Sequence, residues 1–183
     1  MPAGALRAGT GMSGGGAAAI YALGPVAEID RDSFRAAMGL LPTGVTVVTA
    51  IGPNGRSGAT ASAVGSLSLE PMLMLVCLDR GSRTLRSVQE AGRFGINVLA
   101  AEQEPVARQF STKLDEPDKW KGVEWSERDG IPALDGSVLW LGCELQDVVM
   151  GGDHVILTGA VAGLEARDGD PLIHHRGSYR GLG

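Results

Sequence analysis

A mainly β fold, a closed or nearly closed antiparallel barrel with a few short helices, is what three features of this 183-residue chain predict. β-branched and apolar runs of strand length recur between turn signals, and helical periodicity is confined to three short stretches. The apolar residues, 44% of the chain, are spread along it in a way that suits one core and is short for two independent domains.

The elements read in order as follows. Met1 to about Ala27 is rich in Gly and Ala, and its apolar run Ala17 to Leu23 is short, follows a Gly-rich stretch and has only Arg7 as a basic residue upstream, unlike a secretory signal. A disordered leader over 1–27, dispensable for folding and with Met12 as an alternative start, is expected before a single domain over 28–183. Asp32 to Met38 is a capped opening helix with Phe34 and Met38 on one face, stopping before Pro42. Val45 to Ile51 is a β-branched strand, Gly52-Pro53-Asn54-Gly55 a turn, and Ala59 to Leu69 the returning strand of a hairpin. Met72 to Leu78 and Phe94 to Leu99 are buried strands flanking a helix from Thr84 to Ala91 that Gly92 closes. Glu104 to Phe110 is a third short helix. Two long β segments, Val138 to Met150 and His154 to Leu164, meet at Gly151-Gly152-Asp153, and a last short strand lies near Leu172 to His174. No internal repeat is present.

Composition removes several function classes. The net charge of -5 is modest and mixed in sign along the chain, so no basic stripe exists to neutralise a nucleic-acid backbone. No run approaches the ~18 unbroken apolar residues of a membrane span. Cys77 and Cys143 lie apart in apolar runs with no cysteine or histidine cluster beside them, which suits reduced core thiols and a cytoplasmic home. His174 and His175 are adjacent on a strand and face opposite sides, a poor metal pair, and no metal is assigned.

Four segments carry chemistry. Gly9-Thr10-Gly11-Met12-Ser13-Gly14 matches the GxGxxG pattern in letters, but only eight residues precede it, too few for the strand that aims such a loop at a pyrophosphate. Asp79-Arg80-Gly81-Ser82-Arg83-Thr84 follows a buried strand and opens a helix. Its hydroxyls, free N–H groups and arginines form a receptor for phosphate, and taken alone it is read equally well as an ordinary N-cap. Gly58-Ala59-Thr60-Ala61-Ser62-Ala63-Val64-Gly65-Ser66 is small and hydroxyl-rich, so a flat ring can lie against its backbone; taken alone, a flexible edge strand is the simpler account. Pro42-Thr43-Gly44-Val45-Thr46 is a helix-to-strand turn with the same two accounts, a plain connector when taken alone, or one whose Thr43 would face whatever the turn surrounds.

Together these segments resemble the flavin reductase-like family of FMN-binding split barrels, Greek-key antiparallel barrels that serve as short-chain reductase components of two-component monooxygenases. The resemblance runs from about Phe34 to Tyr179. It also takes in Ser66-Leu67-Ser68-Leu69-Glu70-Pro71, Phe94-Gly95-Ile96-Asn97-Val98-Leu99, Gln109-Phe110-Ser111, Lys119-Trp120 and Gly152-Asp153-His154. Met72 departs from it, standing where many relatives have a second proline.

The resemblance implies that the Thr-Ala-Ser strand and the Pro-Thr-Gly turn surround the isoalloxazine, that the Ser-x-Thr loop holds phosphate, and that two subunits share each site. The cofactor-binding residues it implies are Thr43, Gly44, Val45, Thr60, Ala61, Ser62, Ser66, Ser82, Arg83, Thr84, Phe110 and Tyr179. His154, by itself a structural histidine at a strand start, becomes through the family's Gly-Asp-His position the residue that seats a nicotinamide over the flavin. Lys119-Trp120 is read as a loop anchored by Trp120, with a clamp on flavin or nicotinamide as the alternative.

The activity implied is NAD(P)H-dependent reduction of free FAD or FMN, NADH or NADPH being the hydride donor, by a homodimer that supplies reduced flavin to a flavin-dependent monooxygenase. Two other accounts stay open: a flavoprotein that retains FMN and reduces another acceptor, and a flavin-binding protein without catalysis.

Overall fold

The computed structural model describes residues 28–182 and bears out a mainly β fold; the expected leader lies outside the described residues. Helix α1 spans Arg31–Met38, with Asp30 as the capping residue: its carboxylate accepts from the N–H groups of Asp32 and Ser33 at 3.0 and 2.9 Å. Strands β1 (Thr43–Gly44), β2 (Thr46–Gly52), β3 (Gly55–Ala61), β4 (Val64–Leu69) and β5 (Met72–Asp79) follow. Then come α2 (Arg83–Ala91), β6 (Arg93–Val98), a 3₁₀ turn at Ala101–Gln103, α3 (Glu104–Phe110) and α4 (Glu116–Lys119). The rest is β7 (Trp125–Arg128), β8 (Ile131–Leu134), β9 (Leu139–Gly151), β10 (His154–Ala166), β11 (Ile173–His175) and β12 (Ser178–Arg180).

One seven-stranded antiparallel sheet, in the order β3-β2-β6-β9-β10-β5-β4, makes the barrel. The expected single strand from Ala59 to Leu69 is in fact two. Its first part pairs with β2, Thr46 opposite Ala61 and Gly52 opposite Gly55, and its second pairs with β5 at the opposite edge of the sheet. Only Ser62 and Ala63 join them. From Ala61 to Val64 that link can reach about 11 Å at most, so the sheet must curl until its two edges meet. The small residues that read as one weak strand are the corner where the barrel closes, without a ladder between β3 and β4.

Alternation along β2 explains why it is buried on both faces. Val48 and Ala50 point into the barrel with Val76, Leu78, Phe94, Ile96, Cys143 and Leu157, and α2 stops one end with Leu85 and Val88. Val45 and Val47 meet an outer layer of Leu99, Ala107, Phe110, Trp120 and Leu172. Burial pushes the Cys143 thiol up to about 12, so it stays protonated and inert in the core, as expected for a free cysteine there.

The β7–β8 hairpin, α4 and β12 were not expected from the sequence. The hairpin's place is fixed by the polar side chain of Asn97, fully buried on β6. Its amide donates to Val47 O at 3.0 Å and Thr49 Oγ1 at 3.2 Å, and its oxygen accepts from the Leu134 N–H at 2.7 Å. Gly95, also on β6, leaves room for β8, since a Cβ there would stand 2.6 Å from Thr49 Oγ1 and 2.8 Å from Ile131 Cγ2. The last strand sits at Ile173–His175, one residue later than expected, between β1 and β12 in a separate three-stranded sheet.

Gly159, midway along β10, tests how tightly the barrel is filled. A Cβ there would lie 2.6 and 2.7 Å from the Phe94 ring and 2.9 Å from Cys143 Cβ. Gly159→Ala is expected to destabilise the fold by about 1–3 kcal/mol, read as a lowered midpoint in thermal and denaturant melts.

Candidate active site

At the closing corner, an open cleft of ≈ 140 Å³ is lined by Val45, Thr60, Ala61, Ser62, His174 and Tyr179, with Ser111 at its rim. Five of the residues singled out in the sequence therefore converge, and β1 brings Thr43 and Gly44 next to the lining strand β11, Thr43 opposite His174. Tyr179 is held by an edge-to-face contact with His174, ring centroids 5.4 Å apart, and by the Arg108 guanidinium 5.0 Å above its ring. His174 was set aside in the sequence as a poor metal ligand. Its place in the cleft comes from β1–β11 pairing, which no local pattern announces.

The edge strand β3 presents its backbone to this cleft. Gly58 N–H donates to Glu116 Oε2, and Gly58 O accepts from Lys119 Nζ, both at 3.1 Å, so these groups point away from β2. By strand alternation Thr60, two residues on, aims its own N–H and C=O the same way. Its side chain is already used, Oγ1 donating to Ala107 O at 2.7 Å on α3. Thr60 thus offers a ring its backbone, with its hydroxyl serving to pin β3 to the helix.

The Ser-x-Thr loop lies beyond the cleft along β5. Cys77 N–H donates to Ala63 O at 2.9 Å beside the closing corner, Asp79 faces His154 across the β5–β10 ladder, and Ser82 caps α2. Ser82 Oγ accepts from Leu85 N–H at 3.4 Å, which leaves its proton free to donate, and Thr84 Oγ1 is buried with no hydrogen-bond partner. An orphaned buried hydroxyl at a helix start fits a phosphate-holding loop.

Arg83 does not stand free for that phosphate. It pairs with Asp115 at 2.5 Å and Glu116 at 3.6 Å and donates to Leu114 O, organising the segment before α4. Arg80 is the free cation of the loop: among the described residues it makes no ion pair, only a 3.5 Å contact to Gly152 O. Ser66 lies exposed on β4 opposite Met74, away from the cleft lining. Phe110, 1% exposed, packs edge-on against Trp120 with centroids 5.0 Å apart, and its ring presses on Gly58, where a Cβ would come within 2.5 Å. It has no surface to offer a flavin in this chain; it shapes β3 from behind, and Ser111 beside it is the residue that reaches the cleft.

His154 opens β10 with its ring exposed and Nδ1 2.8 Å from Asp153 Oδ1. That hydrogen bond, with the imidazole's charge, holds the Asp153 carboxyl below the usual carboxylate range. Trp120 anchors its loop as expected, whereas Lys119 is buried, and burial lowers its ammonium pKa.

The flavin reductase like domain matches residues 38–183. The chain belongs to that family. It is 37% identical over 160 residues to the flavin-dependent monooxygenase reductase subunit HsaB of Mycobacterium tuberculosis, covering 85% of this chain and 84% of that protein. It is 39% identical over 157 residues to an NADH flavin reductase of Kitasatospora aureofaciens, covering 82% and 81%. Among solved structures, the NADH:FAD oxidoreductase SgcE6 of Streptomyces globisporus, in complex with NAD and FAD fragments, superposes with a TM-score of 0.78 at 32% identity over 84% of this chain and 96% of that one. The flavin reductase is accordingly an NAD(P)H:flavin oxidoreductase on the split-barrel fold, with flavin and nicotinamide as its redox partners.

The loop geometry yields a ligand test. Ser82→Ala with Thr84→Ala should weaken FMN binding about tenfold or more, the worth of a hydrogen bond to a charged group, and leave riboflavin, which lacks the phosphate, much less affected. Equal losses for both flavins in fluorescence titrations would assign the loop to folding or ring placement.

Proposed function

We propose that this flavin reductase takes up FAD or FMN as a dissociating substrate in the cleft at the barrel corner, reduces it with NADH or NADPH, and releases it to a flavin-dependent monooxygenase. The observation that carries this reading is the free edge of β3 facing an open, shallow cleft. A hydride moves between nicotinamide C4 and flavin N5, chemistry that belongs to the two redox partners and needs no acid–base pair from the protein. The protein's work is to stack the rings, exclude water and offer donors to the polar edge of the flavin. Thr60 backbone, Ala61, Ser62 and the Tyr179–His174 pair line the ring's seat. Ser82, Thr84 and Arg80 hold phosphate, and His154 seats the nicotinamide.

A homodimer fits the size of the cleft. At ≈ 140 Å³ it is well below the roughly 300–1,000 Å³ of enclosed small-molecule sites, so a second subunit would complete the walls. Exposed Leu67, Leu69 and Met72 on the β4–β5 hairpin and Val148, Val149 and Met150 on β9 supply apolar surface for it. No described helix is long and apolar enough to cross a membrane. The two free cysteines suit a reducing, cytoplasmic setting.

Steady-state NADH oxidation with added flavin tests the central reading: turnover should rise hyperbolically with free FAD or FMN. Tight stoichiometric FMN would favour the retained-cofactor account, and absence of turnover the binding-only account. For His154, anaerobic stopped-flow reduction at saturating flavin should show His154→Ala slowing hydride transfer or raising the NAD(P)H requirement, with flavin affinity and melting temperature near wild type. An unchanged reduction rate, or a stability loss that accounts for the lost activity, would return His154 to a turn-tying role.

A further inference from the structure

β3 is an edge strand with no neighbour laddered to its outer side, yet at Gly58 the outer backbone groups are both satisfied. Glu116 Oε2 accepts the N–H and Lys119 Nζ donates to the C=O, each at 3.1 Å, so two side chains of α4 stand where a neighbouring strand's carbonyl and amide would be. The two charges are 3.7 Å apart, and Arg83 Nε is 3.6 Å from the same Glu116 Oε1. Gln109 Nε2 donates to Lys119 O and Lys121 O at 2.9 Å, which locks α4 to α3. The position of β3 is thus set from three directions within three residues: the ion pair at Gly58, the Phe110 ring behind it, and the Thr60 hydroxyl on Ala107 O.

A buried charge cluster is a weak way to gain stability, because desolvation offsets much of its attraction and apolar replacements are often neutral or stabilising. Burial already depresses the Lys119 ammonium. What the cluster supplies that an apolar patch cannot is direction: it fixes where the β3 backbone lies in its own plane.

We propose that Glu116 and Lys119 are positioning residues for flavin reduction, replacing the absent strand beside β3 so that Thr60, Ala61 and Ser62 meet the flavin ring in register. This rests on the reading of the corner cleft as the flavin seat. Because the pair holds the ring's seat directly and meets the phosphate loop only through Arg83, whose guanidinium keeps Asp115 and the Leu114 carbonyl when Glu116 is lost, its loss must be felt about equally by phosphorylated and unphosphorylated flavins.

The test uses the full-length enzyme, with NADH oxidation followed against FMN and against riboflavin and a thermal melt for each variant. The double variant Glu116→Ala with Lys119→Met removes both charges together and leaves neither uncompensated in the interior; it is expected to raise KM for both flavins about tenfold, with kcat and melting temperature changed far less. Glu116→Gln, which keeps an acceptor for the Gly58 N–H, should hold KM within about threefold of wild type. Unchanged KM values, losses that track the melting temperature, or a Glu116→Gln variant as impaired as the double variant would overturn the proposal. Ser62→Trp, which fills the cleft, separates the two readings. If it leaves both KM values unchanged, the cleft is not the flavin seat. If it raises them while the double variant does not, the seat stands and the positioning role falls.

Discussion

The two-residue link between β3 and β4 is the constraint from which the rest of this structure follows. A seven-stranded sheet can lie open with its edges far apart, but here consecutive strands occupy those opposite edges, and Ser62-Ala63 is too short to bridge anything but a closed barrel. Closure brings β3 next to β5 without pairing them, leaving backbone donors and acceptors at the corner. A cleft lined by such groups and flanked by the small β1–β11–β12 sheet is suited to a flat, polar-edged ring. The same closure carries the chain along β5 from that corner to the α2 start and to the residue facing His154, so the places proposed for ring, phosphate and nicotinamide lie along one strand.

An edge left free for a ligand must still be held in place. The protein does this with side chains: Glu116 and Lys119 at Gly58, and Thr60 at Ala107. Arg83 belongs to this scaffold as well, its guanidinium committed to Asp115, Glu116 and the Leu114 carbonyl. Much of the charge near the site is therefore structural, and of the two arginines of the Ser-x-Thr loop the one without an ion pair among the described residues is Arg80.

Which parts of this were legible in the sequence depends on range. β2, β5, β6 and the long β9–β10 hairpin announced themselves because their periodicity and turns are local, and α2 showed both its Ser82 cap and its Gly92 stop. The stretch 59–69 misled because small residues carry little periodicity, and a strand that changes edges in two residues looks continuous. β7 and α4 lack strong apolar patterns, β8 is only four residues long with a proline inside it, and they are held by distant groups such as Asn97 and Gln109. The site split the same way. The cleft residues were recognisable as a set through the family's motifs, whereas the inward turn of Phe110, the ion pairing of Arg83 and the arrival of His174 are matters of tertiary contact that no spacing encodes.

Asn97 shows what such dependence entails for the substitutions the interior tolerates. Its amide nitrogen stands between two oxygens, Val47 O and Thr49 Oγ1, and Thr49 spends its own hydrogen on Pro132 O. An aspartate in place of that one amide would exchange a donor for an oxygen facing two oxygens in a dry interior, a repulsion with no water to relieve it. The outer hairpin that rests on Leu134 would be the part to come loose. A change at one buried amide, invisible to hydropathy, would thus loosen this enzyme from the back of its barrel while its cleft remained chemically intact.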